Sequence, residues 1–260
     1  MNLRKVWNKI RDGGPHKRLR FVVDYQIAVG TPRRAPSYVT DLDKEEISRR
    51  YVLGRTPSGE GRMRFLDVGG RDGKLSYLLG NVAPLKFDTD AYERNIARFQ
   101  SLYDYYGVDL HPAGYNVLAG DICDTQFLDQ HANVAGSFDI VYSNNVFEHF
   151  RKPWIAAEVI LRLLKPGGIC ITIVPFAQRY HEDPGDYFRY TPTGMVSLFE
   201  QGDIAVLEAG FDIRARRYDW QGSGEANDVV PTDGFGAWRE TWYTLVVIQK
   251  QAGGRTQKTT

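Results

Sequence analysis

The chain has 260 residues, 42% of them hydrophobic and 25% charged, which is enough apolar material to bury one sizeable core. Its 33 basic and 32 acidic residues leave a formal net charge of +1, which argues against a general electrostatic pull toward nucleic acid. Two cysteines, Cys123 and Cys170, make no disulfide framework, and the longest apolar run, residues 169–176, is far too short for a membrane span.

The elements follow in chain order. Residues 1–20 carry seven Lys or Arg against one Asp, so residues 1–40 read as a basic extension, with Val6, Trp7 and Ile10 able to line one face of a short helix. The spacing predicts a helix over 41–53, with Thr40 and Asp43 as capping residues and Gly54 as its stop. A loop with Pro57, Gly59 and Gly61 leads into an apolar run at 63–68 that ends on a glycine cluster, the pattern of a buried strand. A helix should open over 74–79. A second, capped by Asp88 or Thr89, carries Tyr92, Ile96, Phe99 and Leu102 at helical spacing.

Strand-like runs recur at 105–110, 115–118, 138–142 and 169–174. Between the last two lies a helix over 153–164, opened by Pro153 and followed by the turn Lys165-Pro166-Gly167-Gly168. Thr191-Pro192 starts another helix, and strands follow at 211–218 and 241–249. Strands alternating with helices predict a Rossmann-like α/β domain over 41–250: a seven-stranded, mostly parallel sheet, helices on both faces, and an antiparallel last strand. Residues 251–260 are a polar tail, read as disordered. No secretory apolar stretch opens the chain, so a cytoplasmic protein is expected.

In such a sheet ligands bind at the carboxyl ends of the strands, so the chemistry is sought there. The first candidate is the run from Asp67 through Gly69, Gly70, Arg71 and Gly73 to Lys74, where glycines let backbone approach a ligand closely. It is not a phosphate-binding P-loop: three residues separate Gly69 from Gly73, and Leu75 follows Lys74 where Ser or Thr is needed. Arg71 breaks the dinucleotide G-x-G-x-x-G pattern. The next strand ends on Asp109 and Leu110, an acid placed to accept from ribose hydroxyls. After the third strand come Asp121, an acceptor for an adenine amino group, and Ile122, an apolar ring contact. After the fourth come Asn144, Asn145, Glu148 and His149.

These motifs, in this order and with the later Leu164-Lys165-Pro166-Gly167-Gly168, resemble the class I S-adenosylmethionine (SAM)-dependent methyltransferase family, closest to its small-molecule, type 11-like members. The resemblance covers residues 63–176 best and reaches more loosely to Gln249. It implies SAM as cofactor and S-adenosylhomocysteine (SAH) as product. Carried over, Asp67, Gly69 and Gly73 contact the methionine part, Asp109 the ribose, Asp121 and Ile122 the adenine, and Asn144 faces the transfer centre, with Gly70 and Leu110 as further cofactor-binding candidates. Arg71 stands where a third glycine is usual.

The acceptor side is expected in the run from Arg179 to Pro192, dense in aromatic and hydrogen-bonding groups. It is similar to the H-x-x-P-x-D-Y-x-R-x-T-P stretch of methyltransferases linked to glycan or secondary-metabolite pathways. Asp186, Tyr187 and Arg189 are candidate acceptor contacts, with a bracing Asp186–Arg189 ion pair as the alternative. His149 and His181 are the candidate bases for a hydroxyl acceptor. Residues 88–103 and 219–238, the latter with Trp220, Phe235 and Trp238, are candidate lids. No cluster has metal-ligand spacing in the sequence, so no metal is expected. The reading is O-methylation of a small polar or glycan acceptor, with no nucleic-acid partner and the oligomeric state open. A peptide or protein methyltransferase and a non-catalytic SAM-binding module are the alternatives.

Overall fold

A computed structural model describes residues 39–57, 59, 61–71, 89–114, 116–178, 180–181, 184–219 and 239–252. The expected helix over 74–79, Gly73, residues 1–38 of the proposed basic extension, most of the lid at 219–238 and the last eight residues of the tail lie outside this set.

Among the described residues one sheet organises the chain. Its strands are β1 (Val39–Asp41), β2 (Met63–Val68), β3 (Tyr103–Asp109), β4 (Val117–Ala119), β5 (Phe138–Asn144), β6 (Leu164–Ala177), β7 (Ile204–Asp219) and β8 (Arg239–Lys250). They lie in the order β1-β7-β8-β6-β5-β2-β3-β4. Every neighbouring pair is parallel except those made by β8, which runs antiparallel to both β6 and β7. The seven expected strands and the reversed last strand are therefore present, and the short β1 adds an eighth at the β7 edge. β1 has only three residues, too few for its alternation to stand out in the sequence.

The helices are α1 (Lys44–Ser48), α2 (Thr89–Leu102), α3 (Phe127–Gln130), α4 (Pro153–Leu163) and α5 (Pro192–Ser197). Asp43 caps α1 by accepting from the backbone N–H groups of Glu45 and Glu46, and a π-helical turn, Arg49–Leu53, carries the segment to Gly54. Thr191 caps α5 by accepting from Gly194 N–H, with Pro192 in the first turn, where its missing N–H removes no helical bond. The short α3 carries no long apolar period and was not legible in the sequence.

Alternation along the strands divides the core into two layers. Phe65, Ile140, Tyr142, Ile169, Ile171, Ile173, Leu245 and Val247 face Ile47, Val52 and Phe99 from the α1 and α2 side. Leu66, Val68, Val141, Cys170, Val174, Val246 and Ile248 face Phe127, Ala156, Ile160, Met195 and Phe199 from the α3, α4 and α5 side. With both faces covered, the open ground is the carboxyl edge. Chain order there reverses: β3 and β4 lie to one side of β2 and β5 to the other. A crevice opens at such a switch point. No helix among the described residues is long and apolar enough to cross a membrane.

Candidate functional site

A cleft of about 680 Å³ lies at this edge, lined by the ends of β2, β3, β4 and β5 and by the segment around Gly185. One half is built by backbone. Gly69 follows β2 with φ of +84°, a conformation that side chains disfavour, and a Cβ there would lie 2.8 Å from a Val146 methyl. Its N–H donates to the Val108 carbonyl (2.8 Å), which ties the loop to β3. The Arg71 carbonyl accepts from Ala113 N–H at 2.8 Å, a second tie. Inside β3, Gly107 has its Cα face against the Gly70 carbonyl: a Cβ would sit 2.3 Å from that oxygen. No L side chain fits, so Gly107 sets how closely the glycine loop approaches the neighbouring strand.

Asp67 is buried at the end of β2. Its Oδ2 accepts from Tyr105 OH (2.7 Å) and its carbonyl accepts from Gly70 N–H (3.2 Å), so it braces the loop from behind and does not line the cleft. Asp109 and Asp121 do line it. Each uses one carboxylate oxygen to accept a backbone N–H two residues on, His111 for Asp109 and Cys123 for Asp121, both at 2.8 Å. These turns hold the two carboxylates at the rim while leaving each a second oxygen to offer. Leu110 and Ile122 supply apolar lining between them. Two carboxylates flanking apolar side chains beside a close-packed glycine loop fit an adenosyl ligand.

The other half is built by side chains. β5 ends on Asn144, which is buried, and the next residue, Asn145, adopts φ of 55°. Asn tolerates this left-handed conformation better than most residues, and it turns Asn145, not Asn144, into the cleft lining. The pair Asn144-Asn145 was the available signal; the sequence alone did not say which of the two would turn. A short 3₁₀ turn, Phe147–His149, follows. The Glu148 carbonyl accepts from Tyr187 N–H (2.8 Å) and Tyr190 OH donates to the Phe147 carbonyl (3.0 Å), so this turn is clamped to the 184–190 segment.

That clamp brings both candidate bases together. The rings of His149 and His181 are 5.0 Å apart, edge to face. His149 Nδ1 bonds the Gly185 carbonyl, which can only accept, so Nδ1 carries a proton. His149 lines the cleft with Arg151, Gly185 and Tyr187, and Arg151 donates from Nε to Tyr187 OH (2.7 Å). Glu148 is fully buried with its Oε1 3.7 Å from His149 Nε2, and burial pushes its carboxyl up to about 7 despite the nearby Arg189 charge. Sequence spacing hid this cluster because His181 arrives from a different strand end.

Asp186 and Arg189 meet each other. Arg189 engages both Asp186 oxygens, Nη2 to Oδ2 at 2.6 Å, and also donates to the Gln178 and Phe188 carbonyls. Burial alone would raise the Asp186 carboxyl, but Arg189 and the His181 N–H bond outweigh it and hold it below its ordinary value. Neither residue lines the cleft, whereas Tyr187 does. The pair braces the segment from which Tyr187 and Gly185 face the ligand.

A family profile described as a methyltransferase domain matches residues 42–215. No curated protein sequence matches the chain. Among solved structures, a Bacillus halodurans C-125 protein aligns over 80% of this chain and 98% of its own at 14% identity, with a TM-score of 0.49. The arsenic(III) SAM methyltransferase CrArsM of Chlamydomonas reinhardtii aligns over 80% and 75% at 18% identity, TM-score 0.41. The methyltransferase CalH, solved with SAH, aligns over 79% and 54% at 14% identity, TM-score 0.46.

Proposed function

The chain belongs to the methyltransferase-domain family and is a class I SAM-dependent methyltransferase, and from that premise we propose that its acceptor is a hydroxyl of a small polar molecule, such as a sugar or a secondary metabolite. The observation that carries this reading is the continuity of one cleft from the carboxylates Asp109 and Asp121 to the polar end formed by Asn145, His149, Arg151 and Tyr187. Its volume falls within the ~300–1,000 Å³ of small-molecule sites, a size suited to a cofactor with a compact partner rather than to an extended peptide.

In this reading the glycine loop, braced from behind by Asp67, fixes the methionine end of the cofactor, Asp109 takes the ribose hydroxyls, and Asp121 with Ile122 takes the adenine. SAM supplies an electrophilic methyl group: as the acceptor oxygen bonds it, the C–S bond breaks with its electron pair on sulfur, leaving SAH. Asn145 and Tyr187 orient the acceptor so that its oxygen lies in line with that bond. Such alignment is worth up to ~7–11 kcal/mol of barrier. The acceptor's proton is lost with the help of His149, the imidazole on the cleft wall.

The test is an SAH-release assay with methyl-labelled SAM against a panel of sugars, phenols, amines and peptides. Labelled methyl ethers, formed only with hydroxyl compounds, are expected. His149→Ala should lower kcat by roughly 10²–10⁴-fold while leaving the SAH Kd unchanged. Labelling of peptides alone, or full turnover by His149→Ala, would sink the proposal.

A further inference from the structure

The conjunction of Glu148, His149 and His181 goes beyond what a methyltransferase cleft requires. One donor nitrogen from each histidine and one oxygen of Glu148 lie within 4.8 Å of one another. Glu148 is fully buried, and among the described residues neither of its carboxylate oxygens has a hydrogen-bond partner. A buried carboxylate with no donor is costly, and protonation or a bound cation removes the penalty.

The surroundings of the two imidazoles match what metal-ligating histidines need. Such histidines anchor the second ring nitrogen on a carbonyl or carboxylate, which sets the tautomer and the ring orientation. His149 Nδ1 is held by the Gly185 carbonyl, and His181 Nδ1 lies 3.4 Å from Asp186 Oδ2. Asp186 is in turn fixed by Arg189. The opposite ring edge of His149 faces Glu148, with Nε2 3.7 Å from Oε1. Three protein ligands leave coordination positions open, and of the three His149 borders the cleft.

We propose that Glu148, His149 and His181 form a binding site for one divalent first-row transition metal ion, with Zn²⁺ the best match to two imidazoles and one carboxylate. Magnesium and calcium prefer all-oxygen shells and are excluded by this donor set. The role of the ion rests on the hydroxyl-acceptor reading above: held at the cleft wall, it ligates the acceptor hydroxyl and eases loss of its proton to water, and His149 acts as its ligand. The binding site itself does not depend on that reading.

The experiment uses the full, tag-free chain. After dialysis against a chelator, Zn²⁺ is titrated calorimetrically with Mg²⁺ as control, and Co²⁺ is added to read the visible spectrum of a nitrogen- and oxygen-ligated ion. One Zn²⁺ per chain, no Mg²⁺ heat and a tetrahedral or five-coordinate Co²⁺ spectrum are expected. Glu148→Gln and His181→Ala should each weaken Zn²⁺ binding by at least about 100-fold. SAH binding, retained in both variants, reports that they are folded; His181 is partly exposed, so its truncation is the safer of the two. Absence of Zn²⁺ binding in the parent chain, or binding unchanged in folded His181→Ala, overturns the site. A chain that binds Zn²⁺ yet methylates no hydroxyl keeps the site and removes the acceptor reading. Undiminished hydroxyl methylation by the chelated chain removes the role given to the ion.

Discussion

The two halves of the cleft are made in different ways. The cofactor half is a matter of backbone: a glycine in left-handed conformation, a second glycine pressed on a carbonyl, and two carboxylates set by local turns to the next N–H groups. The acceptor half is a matter of side chains gathered from separate strand ends: a buried carboxylate, two imidazoles and a bidentate ion pair, clamped through the Glu148 carbonyl. The first half should tolerate changes in its rim residues at little cost to folding. The second couples its chemistry to its stability.

The largest expected effect tests that coupling. Arg189→Ala strips a buried carboxylate of its bidentate partner, so it should cost about 3–5 kcal/mol in denaturant unfolding and displace the 184–190 segment. Its SAH affinity, measured on the folded fraction, should stay close to the parent's. A large loss of SAH binding would show that the halves are not separable.

Gly107→Ala strikes the cofactor half at the level on which it is built. The new methyl would meet the Gly70 carbonyl at 2.3 Å, a backbone atom that cannot step aside cheaply. Destabilisation of about 2–3 kcal/mol is expected, together with loss of SAH binding by calorimetry. Retained affinity would mean that the glycine loop does not depend on close approach to β3.

Asp109→Ala sharpens the comparison from the rim. Removing an acceptor for the ribose hydroxyls should weaken SAH by about 1.5–3 kcal/mol, roughly 10- to 100-fold, with the unfolding midpoint little changed. A matching loss of stability would make Asp109 a structural residue.

The last effect is a pH dependence. Burial pushes the Cys123 thiol up to about 12, and burial likewise raises Tyr103 and Tyr190. In the unfolded chain these groups lose their protons near their ordinary values while the folded chain still holds them, so the unfolded state binds fewer protons. Their contribution is intact below the ordinary thiol pKa and is lost as pH climbs toward 12. Denaturation midpoints should therefore fall steadily above about pH 9. A flat alkaline profile would contradict the burial of Cys123.

Much was legible before any coordinates. Residues 63–68 read as a buried strand because a short apolar run met glycines, and 153–164 as a helix because Pro153 and an apolar face mark it. Thr191-Pro192 announced a cap that the fold keeps. Each of these signals lies within a dozen residues, so local stereochemistry suffices to write it. By the same logic the family resemblance came from motifs at strand ends, which are local in sequence.

What tertiary structure decided is everything that depends on distance across the sheet. It chose Asn145 over Asn144 for the cleft wall, through the left-handed turn that ends β5. It joined His149, which follows β5, to His181, which follows β6, because parallel pairing brings those two strand ends side by side. A sequence fixes which residues stand at the end of each strand. Only the order of strands in the sheet decides which of those ends become neighbours, and the chemistry of the acceptor side is made of such neighbours.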